Sequence, residues 1–205
     1  MDNEKVRIEN SEVLSDDWYL LKKTTFSYRR LDGTWQSLTR ETYDRGNGAT
    51  ILLYNLRRGS VVLTRQFRYP TFVNGNPSGL LIESAAGLLD NAQPETRIKQ
   101  EVEEETGYRI NAVQRIFEAF MSPGSVTERL FFFTASYEPS ERISSGGGNY
   151  AEGEDIEVLE MSFSDAMAKV SSGDICDGKT IMLLQYAALN IFNATSNSMA
   201  IGGDV

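Results

Sequence analysis

Residues 100–108 read QEVEEETGY, with four glutamates in five positions. Like charges at this density repel one another and weaken a helix. Helical residues advance about 100° each, so with Glu101 at zero, Glu105 falls at about 40° and Glu104 at about −60°. Ile98 and Val102 form the buried stripe beside them, and Glu103, at about 200°, is expected to face water. Three carboxylates then share one face at the edge of the core. Hard divalent cations prefer oxygen ligands, and magnesium in particular bridges carboxylates to phosphates while keeping several waters. The alternative is a solvated acidic surface. The stretch alone leaves both readings open.

Composition narrows the chemistry. The chain has 205 residues, a net charge of −9 and no histidine. A Ser-His-Asp triad, a Cys-His pair and a histidine-ligated zinc site are excluded. An acidic protein is a poor partner for a nucleic-acid duplex, but it can take a small phosphorylated ligand that arrives with a metal. The lone Cys176 has no internal disulfide partner, which points to a reducing compartment and a cytoplasmic protein. We expect neither a secretion signal nor a membrane span.

The elements that must position these residues follow from periodicity and turn signals. Residues 18–29 and 37–45, joined by LDGTW at 31–35, predict a β-hairpin. The turn-rich DRGNG at 44–48 marks a boundary, giving an N-terminal β unit over 1–47. A main domain over 48–193 and a flexible tail over 194–205 follow. Strands are predicted over 49–55 and 60–68, a loop over 71–79, and one short strand over 80–87 running into Gly87. Pro94, Glu95 and Gly107 delimit a helix over 94–106. Further strands are predicted over 113–120, 128–137 and 156–163, and helices over 164–171 and 178–193. The glycine-rich acidic segment 144–155 reads as a mobile loop. Mingled strands and helices make the class α/β (α+β) with a mixed sheet.

The segment from Gly87 to Tyr108, GLLDNAQPETRIKQEVEEETGY, resembles the signature box of the Nudix hydrolases. Gly87, Glu101, Val102, Glu104, Glu105, Gly107 and Tyr108 match it. The box departs in two ways: it is one residue short, and Gln93 and Gln100 stand where the family commonly has an acid and a base. The two amides are expected to hydrogen-bond to each other, and Arg97 is expected to add positive charge on the ligand face. Beyond the box, RQFR (65–68), MSPGSVTE (121–128), EDIEVLE (154–160) and DGKT (177–180) resemble the GDP-mannose pyrophosphatase branch, over about residues 14–192.

The resemblance implies a mixed β-sheet sandwiched between α-helices, with a small N-terminal antiparallel β unit. It implies magnesium-dependent hydrolysis of a nucleoside diphosphate sugar, GDP-mannose to GMP and mannose 1-phosphate, with manganese as a substitute metal. It also implies a homodimer whose N-terminal unit crosses to the partner's site. Metal ligands would be Glu101, Glu105, Glu154 and the carbonyl of Ala86, where Gly87 lets the chain turn. Arg68, Glu128 and Lys179 would contact substrate. From the partner subunit, Trp18 and the segment Thr39, Arg40, Glu41 would approach the nucleotide, the Trp18 ring stacking on the base; otherwise Trp18 is core. Glu154 is the expected base, with Glu104 and Glu128 as competitors. Gly153 stands where the branch tends to have an acid, and Glu152 would replace it.

Two other functions fit the same residues. One is ADP-ribose pyrophosphatase activity, giving AMP and ribose 5-phosphate, because SPG with Pro123, fifteen residues beyond Tyr108, resembles that group's downstream signature. The other is a nucleotide-binding module without catalysis, against which the intact Glu101, Glu104 and Glu105 speak.

Overall fold

The computed structural model describes residues 4–193, apart from the side chain of Glu152. The expected tail lies outside the described residues. The chain divides into two compact units: residues up to Asn47 with Phe120–Arg129, and Gly48–Ala119 with the chain from Leu130 onward.

The first unit is an antiparallel meander of β1 (Val6–Asp16), β2 (Leu20–Arg29) and β3 (Trp35–Asp44). Leu20 pairs with Asp44 and Arg29 with Trp35, closed by a turn in which Gly33 takes φ +85° and the Asp32 carboxylate accepts the Thr34 N–H. The hairpin forms as its pattern predicts. Strand β1 has no predicted counterpart: its residues lie largely exposed, so no alternation marks it. Two register shifts, at Ile8/Asn10 and Val13/Ser15, bend it along β2. Segment Phe120–Arg129 joins this unit through Tyr43, whose N–H donates to the Ser125 carbonyl at 2.8 Å and whose carbonyl accepts the Thr127 N–H at 3.1 Å.

The second unit is built on a sheet of order β10 (Glu157–Ser162), β5 (Ser60–Phe67), β4 (Gly48–Asn55), β9 (Arg129–Ser136), β8 (Gln114–Phe120). The sheet is mixed: β4 runs parallel to β9 and antiparallel to β5. Strands β4 and β5 are buried almost throughout, as strands covered on both faces must be. Ile51, Leu53, Val62 and Phe133 pack in one cluster with Ile98 and Val102 of α2 (Pro94–Thr106). The alternate residue Leu52 points to the opposite face, where α4 (Gly178–Ala187) packs on β4. Helix α3 (Phe163–Ser172) packs on β10 and β5. The α+β class with a mixed sheet between helices is therefore realised.

Three elements of the second unit differ from the pattern-based reading. Residues 71–79, a loop by composition, begin inside a short helix, α1 (Tyr69–Val73), started by Pro70. The single strand predicted over 80–87 is two: β6 (Leu80–Glu83) pairs with β5 and β7 (Ala85–Leu88) pairs with β4. Helix α4 ends at Ala187 and widens into a π-helical turn over Ala188–Phe192.

Candidate active site

Helix α2 carries the glutamates, and its bounds follow from its punctuation. Gln93 is the extended N-cap, Pro94 opens the first turn, and Gly107 closes the helix in the left-handed conformation at φ 78°. Glu101 is 5 % exposed and Glu105 only 1 %. Glu101 lies directly over the backbone of β7: a β-carbon on Gly87 would sit 1.9 Å from its Oε1. Glu105 reaches the same strand and accepts the Ala86 N–H on Oε2 at 3.3 Å.

The outer glutamates are arranged differently from the helical-wheel expectation. Glu104 does not join the buried pair; its side chain is half-exposed, 4.0 Å from Arg97 Nη1. Glu103 is more than a solvated charge, since Arg109 donates to it from Nε and Nη2, each at 2.9 Å. That fork holds the Glu103 carboxyl below its ordinary pKa.

The amide pairing is also overturned. Gln93 and Gln100 are exposed and make no hydrogen bond with each other. The positive charge comes from Arg97, whose Nη2 stands 2.5 Å from Glu101 Oε1 and whose Nε donates to the Leu88 carbonyl at 3.1 Å. Arg97 thus fastens the helix to the end of β7 while offsetting one buried carboxylate.

Burial, then the charges of Glu101 and Glu154, push Glu105 well above the usual carboxylate range, with Arg68 opposing. Glu154 is therefore an electrostatic neighbour of Glu105. Its Oε2 accepts the Asn149 N–H at 2.8 Å. The loop that carries it is not loose along its length. Gly147 and Gly148 donate their N–H groups to the carbonyls of Glu105 and Glu104 at 2.9 and 3.1 Å. Gly146, at φ +68°, lies so near that a β-carbon would fall 2.4 Å from the Glu105 carbonyl oxygen. These glycines let loop backbone dock on the last turn of α2.

Arg68 and Lys179 both pair with Glu83. Arg68 Nε donates to Glu83 Oε2 at 2.8 Å, and Lys179 Nζ to Oε1 at 2.6 Å. Burial works against the Arg68 charge, but Glu83 holds its pKa above the ordinary value, with smaller help from Glu105 and Asp177. Glu83 was not among the residues singled out from sequence. The available signal was an acid at the end of an apolar strand, which needs partners if buried.

The remaining expected residues belong to the first unit. Trp18 is 80 % exposed, which removes the core reading, and stands edge-on to Tyr19. Thr39 hydrogen-bonds to Thr25, Arg40 Nη1 donates to the Thr39 carbonyl, and Glu41 sits opposite Lys23 in the register. Glu128 pairs with Arg45 at 3.5 Å. A cleft of about 660 Å³ within this unit is lined by Phe26, Arg40, Glu41, Phe120, Pro123 and Thr127.

No three acidic side chains among the described residues stand close enough to form a ready metal-binding group. The donors nevertheless fit a hard divalent cation. Glu101 and Glu105 are buried, all-oxygen and mutually repelling, and a third carboxylate, Glu154, acts on Glu105. No described helix is long and apolar enough to cross a membrane.

Comparison with known proteins gives the family. Residues 5–43 match the model of the GDP-mannose pyrophosphatase NudK N-terminal domain. The chain is 56 % identical over 189 residues to a GDP-mannose pyrophosphatase of Yersinia pestis (strain Pestoides F), covering 91 % of this chain and 94 % of that one. It is 55 % identical over 184 residues to that of Pectobacterium atrosepticum, covering 90 % and 94 %. A crystal structure of an ADP compounds hydrolase shares the fold at TM-score 0.69 and 14 % identity, over 94 % of this chain and 99 % of that one. The chain belongs to the Nudix hydrolase family, in its GDP-mannose pyrophosphatase branch.

Proposed function

We propose that the protein hydrolyses the pyrophosphate of GDP-mannose, giving GMP and mannose 1-phosphate. The observation that carries this is the buried Glu101–Glu105 pair facing β7, with Arg68 acting on Glu105, in a chain whose relatives at 54–56 % identity are named for that activity. Glu101, Glu105, Glu154 and the Ala86 carbonyl would hold magnesium, or manganese in its place. The ion would supply charge neutralisation on the phosphates and a lowered pKa for attacking water.

The chain's own residues supply the rest. Arg68 and Lys179 orient the two phosphates and offset the charge that repels a nucleophile. Water adds to one phosphorus, the bridging P–O bond breaks, and the water proton passes to a carboxylate. Glu154 is the preferred base, because its charge acts on Glu105 and it follows the loop backbone that docks on α2. We further infer a cytoplasmic homodimer in which Trp18, Thr39, Arg40 and Glu41 of one subunit, with Glu128, complete a nucleotide site. The exposed Ile8, Val13, Trp18 and Trp35 of the N-terminal β unit favour a partner for that sheet.

Magnesium-dependent release of GMP, with kcat/KM for GDP-mannose above that for ADP-ribose and GDP-glucose, tests the reading. Preference for ADP-ribose would replace the substrate. No turnover of any nucleotide sugar would leave a binding module.

A further inference from the structure

Glu83 ends β6 in the interior, its side chain only 4 % exposed. A carboxylate so deep is costly unless its oxygens are paired, and here each takes one cation. Arg68 comes from the end of β5, 2.8 Å from Oε2; Lys179 comes from the first turn of α4, 2.6 Å from Oε1. The next residue repeats the link: the Ser84 N–H donates to Thr180 Oγ1 at 2.7 Å. The last residue of β6 and the residue after it thus fix two consecutive residues of α4. Asp177, the N-cap of α4, stands 3.1 Å from Lys179 Nζ and completes a neutral set of two acids and two cations. Arg68 spends only its Nε on Glu83, so the two terminal nitrogens of its fork stay available to a ligand.

We propose that Glu83 is a positioning residue that sets the spacing and direction of Arg68 and Lys179, so that both meet the substrate pyrophosphate as a preformed donor pair. This rests on the reading of Arg68 and Lys179 as phosphate contacts. Two donors held before binding lose less freedom when the substrate arrives.

Glu83→Gln is nearly isosteric, but its single carbonyl oxygen can accept from only one of the two cations. Its KM for GDP-mannose at saturating magnesium is expected to rise about tenfold or more, with kcat falling less. Glu83→Asp keeps the charge but is one methylene too short to span both cations, and it should show the same rise. Combining Glu83→Gln with Arg68→Ala should add little to Arg68→Ala alone. A lowered melting temperature with KM unchanged would make Glu83 a structural acid only and overturn the proposal. A lower KM would make it a counter-ion that restrains binding, and would overturn it equally. If Arg68→Ala and Lys179→Ala both leave KM unaltered, the phosphate-contact reading is what fails, and this inference falls with it.

Discussion

No side chain fits between Gly87 and Glu101: a β-carbon on the glycine would lie 1.9 Å from Oε1 and 2.0 Å from Cδ of the glutamate. Gly87 has ordinary strand conformation, so its requirement is space and not backbone freedom. The atoms it would meet belong to the end of a side chain, which can swing aside. Gly87→Ala should therefore fold with a stability loss within about 1–3 kcal/mol and displace the Glu101 carboxylate. Turnover is expected to fall about a hundredfold or more, read as kcat/KM beside a thermal melt. Wild-type turnover would mean that Glu101 is not needed where it lies.

Arg97 offsets one of two adjacent buried carboxylates. Arg97→Ala should destabilise the metal-free protein by about 1–3 kcal/mol. Magnesium should then raise its melting temperature by more than it does for wild type, because the ion replaces the lost charge. Gln93→Ala and Gln100→Ala, made at exposed positions without a mutual bond, should melt like wild type.

Glu105 is held in conflict with its surroundings by burial and by Glu101 and Glu154. Glu105→Gln removes one of the repelling charges, so the metal-free variant should melt a few degrees higher. Activity should be lost in the same variant. A lower melting temperature would show that the carboxylate stabilises the empty site.

Glu154→Gln should keep the fold and reduce kcat about a hundredfold or more. A kcat close to wild type would move the base to Glu104 or Glu128.

The Glu103–Arg109 fork gives a pH signature. Arg109 holds the Glu103 pKa below its ordinary value, first by hydrogen bonding. The stabilisation is therefore present above the ordinary glutamate pKa and lost as pH falls through the lowered folded value. Glu103→Gln should melt slightly below wild type at pH 7 and together with it well below about pH 4. A gap persisting in acid would point to a role other than the ion pair.

Much of this site could be read in the chain's letters, for local reasons. Pro94 and Gly107 delimit α2, and the 3.6-residue period separates Ile98 and Val102 from the acids. What the period could not decide is burial, because that depends on what covers each angle. Strand β7 lies against the side chains of Glu101 and Glu105, while that of Glu104 stays half-exposed. The division of residues 80–88 into two strands comes from a change of partner at Ser84, a non-local event without a turn signal. Strand β1 escaped because both its faces carry polar residues. Glu83 escaped because its value lies in two cations 15 and 96 residues away.

The docking of Gly147 and Gly148 on α2 makes the 144–155 segment a graft with two zones. Up to Gly148 the backbone is spliced to the helix, and any change of length there would pull on the turn that carries Glu105. From Asn149 to Gly153 the chain is released from those helix carbonyls before Glu154 brings it back. An insertion in that short arc would leave the splice to α2 alone and act on Glu154, because both the N–H and the carbonyl of Asn149 bond to that residue.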